Sequence, residues 1–393
     1  MGGSRCLGPE PSLALAGHAI ARAVLPPASS QLHAAARDLR WIAGGYSLIL
    51  ASLLLMQGPR RSGLLAAGQV LTGPDQRGSA THRSPPEQPA LGRKGITVVS
   101  IVLITGAATG IGNLTARALA ADGHSVYASM RNTTRRNSAR AEQLFDIAQR
   151  DGVGLRVVEL DVQSADSVGT AVKTILEEAG QLDVVVHNAG HLAVGYAEAF
   201  TPEDITHLFD INVLGAQRVN RAVLPHMRDR RSGTLVYVGS TTTVDVPPFM
   251  GPYVASKSAF DVLAQTTRYE VSQFGIETTI IMPGAFTHGT EHFPDASRAS
   301  DAAITSAYSA LDPMITRYDE ATEVLYAPGA DANPAAVATE ISRILALPAG
   351  SRPYRSVVDF TQSHVNDVNA VNEKEADDFV TRMGFGELLT LKR

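Results

Sequence analysis

From position 98 onward the chain alternates short apolar runs with stretches whose apolar side chains recur at three- and four-residue intervals. The runs cover 98–104, 125–130, 155–160, 184–187, 234–238, 277–282 and 355–360. They are rich in β-branched residues and lack strict alternation, as strands buried on both faces do. Helical spacing covers 113–122, 140–150, 165–178, 201–219, 251–274 and 334–347. Strands alternating with helices predict an α/β fold, a doubly wound parallel β-sheet flanked by helices.

Residues 1–95 break this rhythm. They are rich in Ala, Gly, Pro and Arg, and 73–88 reads as a solvated linker. An uncharged run, 41–59, lies between Arg40 and Arg60-Arg61, but its apolar centre, 46–56, is short for a span of about twenty residues. The expectation is an N-terminal extension of low order, 1–95, before a single folded domain, 96–393. A membrane anchor through 41–59 and an amphipathic segment packed on the domain are its other readings. Translation starting near Val98 or Val99 belongs to the first reading.

Composition narrows the class. Hydrophobic content of 44% and charged content of 19% suit a globular protein, and a net charge of −5 argues against a nucleic-acid partner. That total hides +6 in residues 1–95 and −11 in the remainder. A lone cysteine, Cys6, excludes an internal disulfide framework and a cysteine-based zinc site, and a cytoplasmic location is expected.

The chemistry concentrates where strands end. The first run flows into Thr105-Gly106-Ala107-Ala108-Thr109-Gly110-Ile111-Gly112 and then a helical pattern. Glycines let the main chain approach a pyrophosphate, and the helix start offers free N–H groups. Gly106, Thr109, Gly110, Ile111 and Gly112 are therefore candidate dinucleotide contacts. The second run ends in Arg131-Asn132-Thr133, with Arg135 and Arg136 close behind and no carboxylate for a ribose 2′-hydroxyl. A guanidinium matches a phosphate, which favours NADP(H) while leaving NAD(H) open. Small residues Asn188-Ala189-Gly190 end the fourth run, where backbone can lie along a cofactor, and Pro283-Gly284 ends the sixth.

Tyr253 and Lys257 stand four residues apart at the start of a predicted helix, hence on one face. An ammonium beside a phenol of pKa near ~10 would favour its ionised form and make it an acid or base usable at neutral pH. Ser240, at a strand end thirteen residues earlier, can hold a reacting oxygen beside that phenol.

The glycine spacing, Asn188-Ala189-Gly190, Asn212 and the Ser240/Tyr253/Lys257 set resemble the classical type of the short-chain dehydrogenase/reductase family, over about residues 98–360. The resemblance implies a Rossmann-like fold and NADP(H)-dependent interconversion of a carbonyl and a secondary alcohol. It makes Tyr253 the proton donor or acceptor and Ser240 the group that orients the oxygen. It also places Lys257 on the nicotinamide ribose and lets Asn212 hold a water between Lys257 and solvent. Asp161, with Val162, would receive the adenine, and Thr287, or Thr290 behind it, would reach the nicotinamide side. Asn212 also reads as a core amide that kinks its helix. A homodimer or homotetramer through 201–219 and 251–274 is implied as well.

Two other functions fit parts of the pattern. The G-x-x-x-G-x-G spacing opposes an extended-type sugar-nucleotide epimerase or dehydratase. The complete set of Asn212, Ser240, Tyr253 and Lys257 opposes a non-catalytic NADP-binding regulator. Residues 285–327 are long for a connection and carry Phe286, Phe293, Tyr308, Met314, Tyr318 and Tyr326, which suggests a lid, about 285–330, over an apolar substrate. Residues 244–250 would form another wall of that pocket. His187 and His191 lack an accompanying ligand set, so no metal site is expected; His288 and His292 read as loop residues.

Overall fold

The computed structural model describes residues 99–392; the extension 1–95, with its apolar run 41–59 and Cys6, lies outside the described residues. In chain order the first half comprises β1 (Ile101–Ile104), α1 (Gly110–Ala121), β2 (Ser125–Met130), α2 (Ser138–Asp151), β3 (Leu155–Glu159), α3 (Ala165–Ala179) and β4 (Val184–His187). There follow α4 (Pro202–Phe209), α5 (Gly215–Arg230), β5 (Gly233–Val238), α6 (Gly251–Val271) and β6 (Ile276–Pro283). Three short helices, α7 (Ala302–Ala307), α8 (Asp312–Thr316) and α9 (Tyr318–Glu323), precede α10 (Ala335–Leu345), β7 (Arg355–Val358) and α11 (Val365–Arg382).

The seven strands form one parallel sheet in the order β3-β2-β1-β4-β5-β6-β7. Period-two alternation divides each strand between two cores. Leu103, Val185, Leu235, Tyr237 and Ile280 pack with α3, α5 and α6 on one face. Val102, Ile104, Val186, Val236 and Ile281 pack with α1, α2 and α10 on the other. Strand order reverses between β1 and β4, which opens a crevice at their carboxyl ends. A third apolar cluster, with Leu192, Phe200, Met250 and Tyr253, packs against Phe293, Ala296, Ala299 and Tyr318.

Besides α7, α8 and α9, which no helical spacing announced, two elements depart from the sequence expectation. The helix expected over 201–219 is interrupted by a π-helical turn, Asp210–Leu214, and resumes as α5 as far as Arg230, with Pro225 inside it. The other is α11, which the hydrophobic pattern did not announce. Only Val365 and Asn369 of that helix are buried, so its apolar periodicity is faint. Ion pairs supplement that thin contact: Arg355–Glu373 at 3.3 Å and Arg268–Asp377 at 3.8 Å. Among the described residues, no helix is long and apolar enough to cross a membrane.

Arg355 also grips Asp261 of α6 with two bonds, 2.6 and 3.1 Å, while its guanidinium stacks 4.7 Å from the Tyr354 ring centre. Burial pushes the Asp261 carboxyl up, and Arg355 pulls it partway back. Removing the cation alone strands a buried carboxylate. Arg355→Leu is therefore expected to lower unfolding free energy by roughly 3–5 kcal/mol, and Arg355→Leu/Asp261→Leu to recover most of it. Urea denaturation of both variants checks this; a double variant as unstable as the single one would contradict it.

Candidate active site

At the reversal point, the turn after β1 presses against the end of β4. Gly106 has φ +67°, and a Cβ there would sit 2.8 Å from the Ala189 Cα. The Asn188 side-chain amide donates to the carbonyls of Thr105 and Gly106, each at 3.0 Å. The Thr105 hydroxyl in turn accepts from the backbone N–H groups of Asn188 and Ala189, also at 3.0 Å. A Cβ on Gly112 would overlap the Asn188 amide, so this glycine serves turn packing and does not line the cleft. Gly106, Thr109, Gly110 and Ile111 do line it. Thr109 starts α1 without a side-chain cap, and no acidic residue stands in the first turn. The α1 amides therefore stay free for an anion.

The cleft continues along the carboxyl edge of the sheet, with a volume of about 840 Å³. Arg131, Asp161, Val162, Asn188, Ala189, Gly190, Pro283 and Gly284 all border it. Arg131 is exposed, and its guanidinium makes no hydrogen bond or ion pair among the described residues. The Asp161 carboxylate accepts from the Gln163 N–H at 3.0 Å, which leaves lone pairs facing the cleft. Thr287 stays outside: its hydroxyl donates to Glu323 at 2.9 Å, while Thr290 lines the cleft. The spacing after Pro283-Gly284 favoured Thr287 over Thr290, whereas Thr290 is the one that borders the cleft.

Farther along, Ser240 and Tyr253, each 6% exposed, meet Lys257, 7% exposed. Tyr253 lies in the first turn of α6 and Lys257 one turn on, so both point to the buried side of that helix. The Ser240 hydroxyl accepts from the Thr242 N–H at 3.2 Å and the Thr242 hydroxyl at 2.9 Å, an orienting pair that sequence reading missed. Burial pushes the Tyr253 phenol up to about 12, and a hydrogen bond from Ser240 moderates the rise. Desolvation lowers the Lys257 ammonium to about 8.

The expected lowering of the phenol pKa by Lys257 is therefore absent. The ammonium donates to the Val238 carbonyl at 2.9 Å and lies 5.9 Å from the phenol ring centre. Desolvation of the phenolate outweighs that distant charge. At neutral pH the buried phenol of Tyr253 keeps its proton.

Asn212, 2% exposed, sits in the π-helical turn and does not line the cleft. Its carboxamide accepts from the His191 N–H at 2.7 Å and donates to the His191 carbonyl at 2.9 Å and the Ser256 hydroxyl at 2.9 Å. It therefore ties the segment after β4 to α6 just behind Lys257. His187 is buried with its ring stacked on Tyr237 at 4.6 Å; desolvation lowers it to about 3, and it faces no cleft. His191 and His292 both line the cleft. Among the described residues no group of three His, Cys, Asp or Glu side chains could hold a metal.

Residues 100–299 match the short chain dehydrogenase family. The chain is 33% identical over 190 residues to the 3-ketodihydrosphingosine reductase of Bacteroides thetaiotaomicron, covering 48% of this chain and 65% of that protein. It is 34% identical over 192 residues to the estradiol 17-beta-dehydrogenase 1 of Rattus norvegicus, covering 47% and 54%. The match thus spans less than two thirds of each of these relatives. A short-chain dehydrogenase from Streptomyces avermitilis superposes with a TM-score of 0.56 at 25% identity, over 72% of this chain and 96% of that one. The actinorhodin polyketide ketoreductase solved with NADPH has the same fold, with a TM-score of 0.54 at 24% identity over 67% and 96%.

Losing the Asn212 carboxamide removes three bonds at once, one buried and two partly buried. Asn212→Ala is expected to cost roughly 2–4 kcal/mol of stability, read as an earlier urea midpoint. A midpoint equal to that of the parent would show that these bonds carry no net stability.

Proposed function

Because the chain belongs to the short-chain dehydrogenase family, we propose that it is an NADP(H)-dependent oxidoreductase interconverting a carbonyl and a secondary alcohol. The observation that carries this reading is a single cleft joining a glycine cradle to a buried, protonated Tyr253 beside Ser240 and Lys257. A bound nicotinamide dinucleotide would supply the hydride donor or acceptor.

Gly106, Thr109, Gly110 and Ile111 would hold its pyrophosphate, because two glycines without a Cβ and the free amides of α1 suit an anion. Arg131, with its guanidinium uncommitted, suits a 2′-phosphate; Asp161 and Val162, which line the cleft, would receive the adenine. Gly190, Lys257, Pro283 and Gly284, which line the far part of the cleft, would receive the nicotinamide end. Thr290 takes the role first expected of Thr287.

In the reductive direction Tyr253 transfers its phenolic proton to the carbonyl oxygen. In the oxidative direction the phenolate takes the proton of the alcohol. The Ser240 hydroxyl, held by Thr242, orients that oxygen and stabilises charge developing on it. Lys257, with a pKa of about 8, is mostly a cation at pH 7 and would hold the nicotinamide ribose.

The substrate wall is apolar: Pro247, Phe249, Met250, Phe293, Met314 and Leu325 border the cleft. This supports a lipid- or steroid-like ketone, as do the names of the ketodihydrosphingosine and estradiol relatives.

Two measurements test the reading. Tyr253→Phe should lower kcat by about 10³-fold against a panel of apolar ketones while fluorescence titration shows unchanged NADPH binding; near-normal turnover would refute proton donation. Arg131→Ala should weaken NADPH by about 10- to 100-fold and leave NADH binding unchanged, since it removes only the charge-assisted bonds to the 2′-phosphate. Equal losses for both cofactors would refute selection by this arginine.

A further inference from the structure

The lid brings one imidazole to the reacting phenol. His292 Nε2 lies 3.4 Å from the Tyr253 hydroxyl, and the two rings meet edge to face with centres 5.8 Å apart. The lid is fastened on both sides of this histidine. Before it, Glu291 pairs with Arg140 of α2 at 2.7 Å, and Thr290 accepts from the His292 N–H at 3.4 Å. After it, the Phe293 ring packs edge-on against the imidazole at 6.4 Å. Ser297 then exchanges backbone bonds with Leu192 and Val194, at 2.8 and 3.0 Å, and its hydroxyl meets His191 Nε2 at 2.6 Å.

Burial, with Lys257 and His191 nearby, lowers the His292 imidazole to about 3. It is therefore neutral over the whole neutral range, with one ring nitrogen able to donate and the other to accept. A separation of 3.4 Å is long for such a bond, and contacts of this kind shorten when substrate fills a site. Sequence spacing gives no hint of the pairing, because His292 and Tyr253 are 39 residues apart on different elements.

We infer that His292 is a positioning residue for Tyr253: through Nε2 it holds the phenol oxygen and aims the phenolic proton at the substrate. Seating of the lid and readiness of the acid are then one event, since the segment that covers the substrate also orients Tyr253. This inference rests on the proton-transfer role proposed for Tyr253.

Two experiments on the full chain test it. In protein carrying ¹⁵N-histidine, the His292 ring signals are identified by their loss in His292→Gln. The Nε2 signal should shift in Tyr253→Phe, which removes only the hydroxyl; an unmoved signal overturns the contact whether or not any ketone is turned over. In steady-state kinetics, His292→Phe keeps the ring packing and should lose about 10- to 100-fold in kcat with KM nearly unchanged. His292→Gln, whose amide reaches the place of Nε2, should recover most of that loss, and the shorter His292→Asn should not. A Phe variant within twofold of the parent, or a Gln variant no better than Phe, overturns the inference. Strong dependence on Tyr253 with indifference to His292 would reject this role alone, whereas indifference to Tyr253 would reject the functional reading beneath it.

Discussion

The close approach of two main chains at the carboxyl ends of β1 and β4 governs the rest of the cleft. A single Cβ on Gly106 would strike the Ala189 backbone, and one on Gly112 would displace the amide that holds both segments together. Thr105 and Asn188 supply the hydrogen bonds across this seam, so the turn keeps its shape without side-chain bulk inside it. Parallel pairing then carries the alignment outward. Ile104 pairs with Ala128 on one side and Val186 on the other, His187 with Tyr237, and Val238 with Ile281. Arg131, Ser240 and Pro283 consequently arrive along one edge of the sheet, although they are far apart in the chain.

Desolvation sets the chemistry within that frame. The same burial raises the phenol of Tyr253 and lowers the ammonium of Lys257, bringing both groups toward their neutral forms. The cation is partly compensated by the Val238 carbonyl, which also keeps it from closing on the phenol. Asn212 supports this arrangement from behind. Its turn is wide, with the Gly215 N–H bonded to the Asp210 carbonyl, and Gly215 there meets Val162 so closely that a Cβ would collide. The kinked-helix reading of Asn212 is thus visible in the backbone, and its carboxamide is committed to His191 and Ser256.

Much of this was legible in the residues. Apolar β-branched runs such as Val184-Val185-Val186 have few alternatives to a strand buried on both faces, and all seven expected strands are present with ends shifted by a few residues. The four-residue spacing of Tyr253 and Lys257 places them on one helical face wherever that helix packs. Less was legible where stability comes from ion pairs: α11 buries little, and its attachment to Arg355 and Arg268 leaves no hydrophobic signature. Thr287 and Thr290 are likewise of one type, and only the path of the chain turns Thr290 inward and Thr287 toward Glu323.

The sequence by itself determined the alternating fold, the glycine turn and the one-turn spacing of Tyr253 and Lys257. Each of these follows from local periodicity or from spacing within one element. The tertiary structure alone decided that Gly112 packs against Asn188, that Lys257 turns to Val238, and that His292 meets the phenol. Those outcomes depend on through-space distances of a few ångströms and on the loss of solvent around charged groups. Neither quantity is written in the order of residues until the chain has closed on itself.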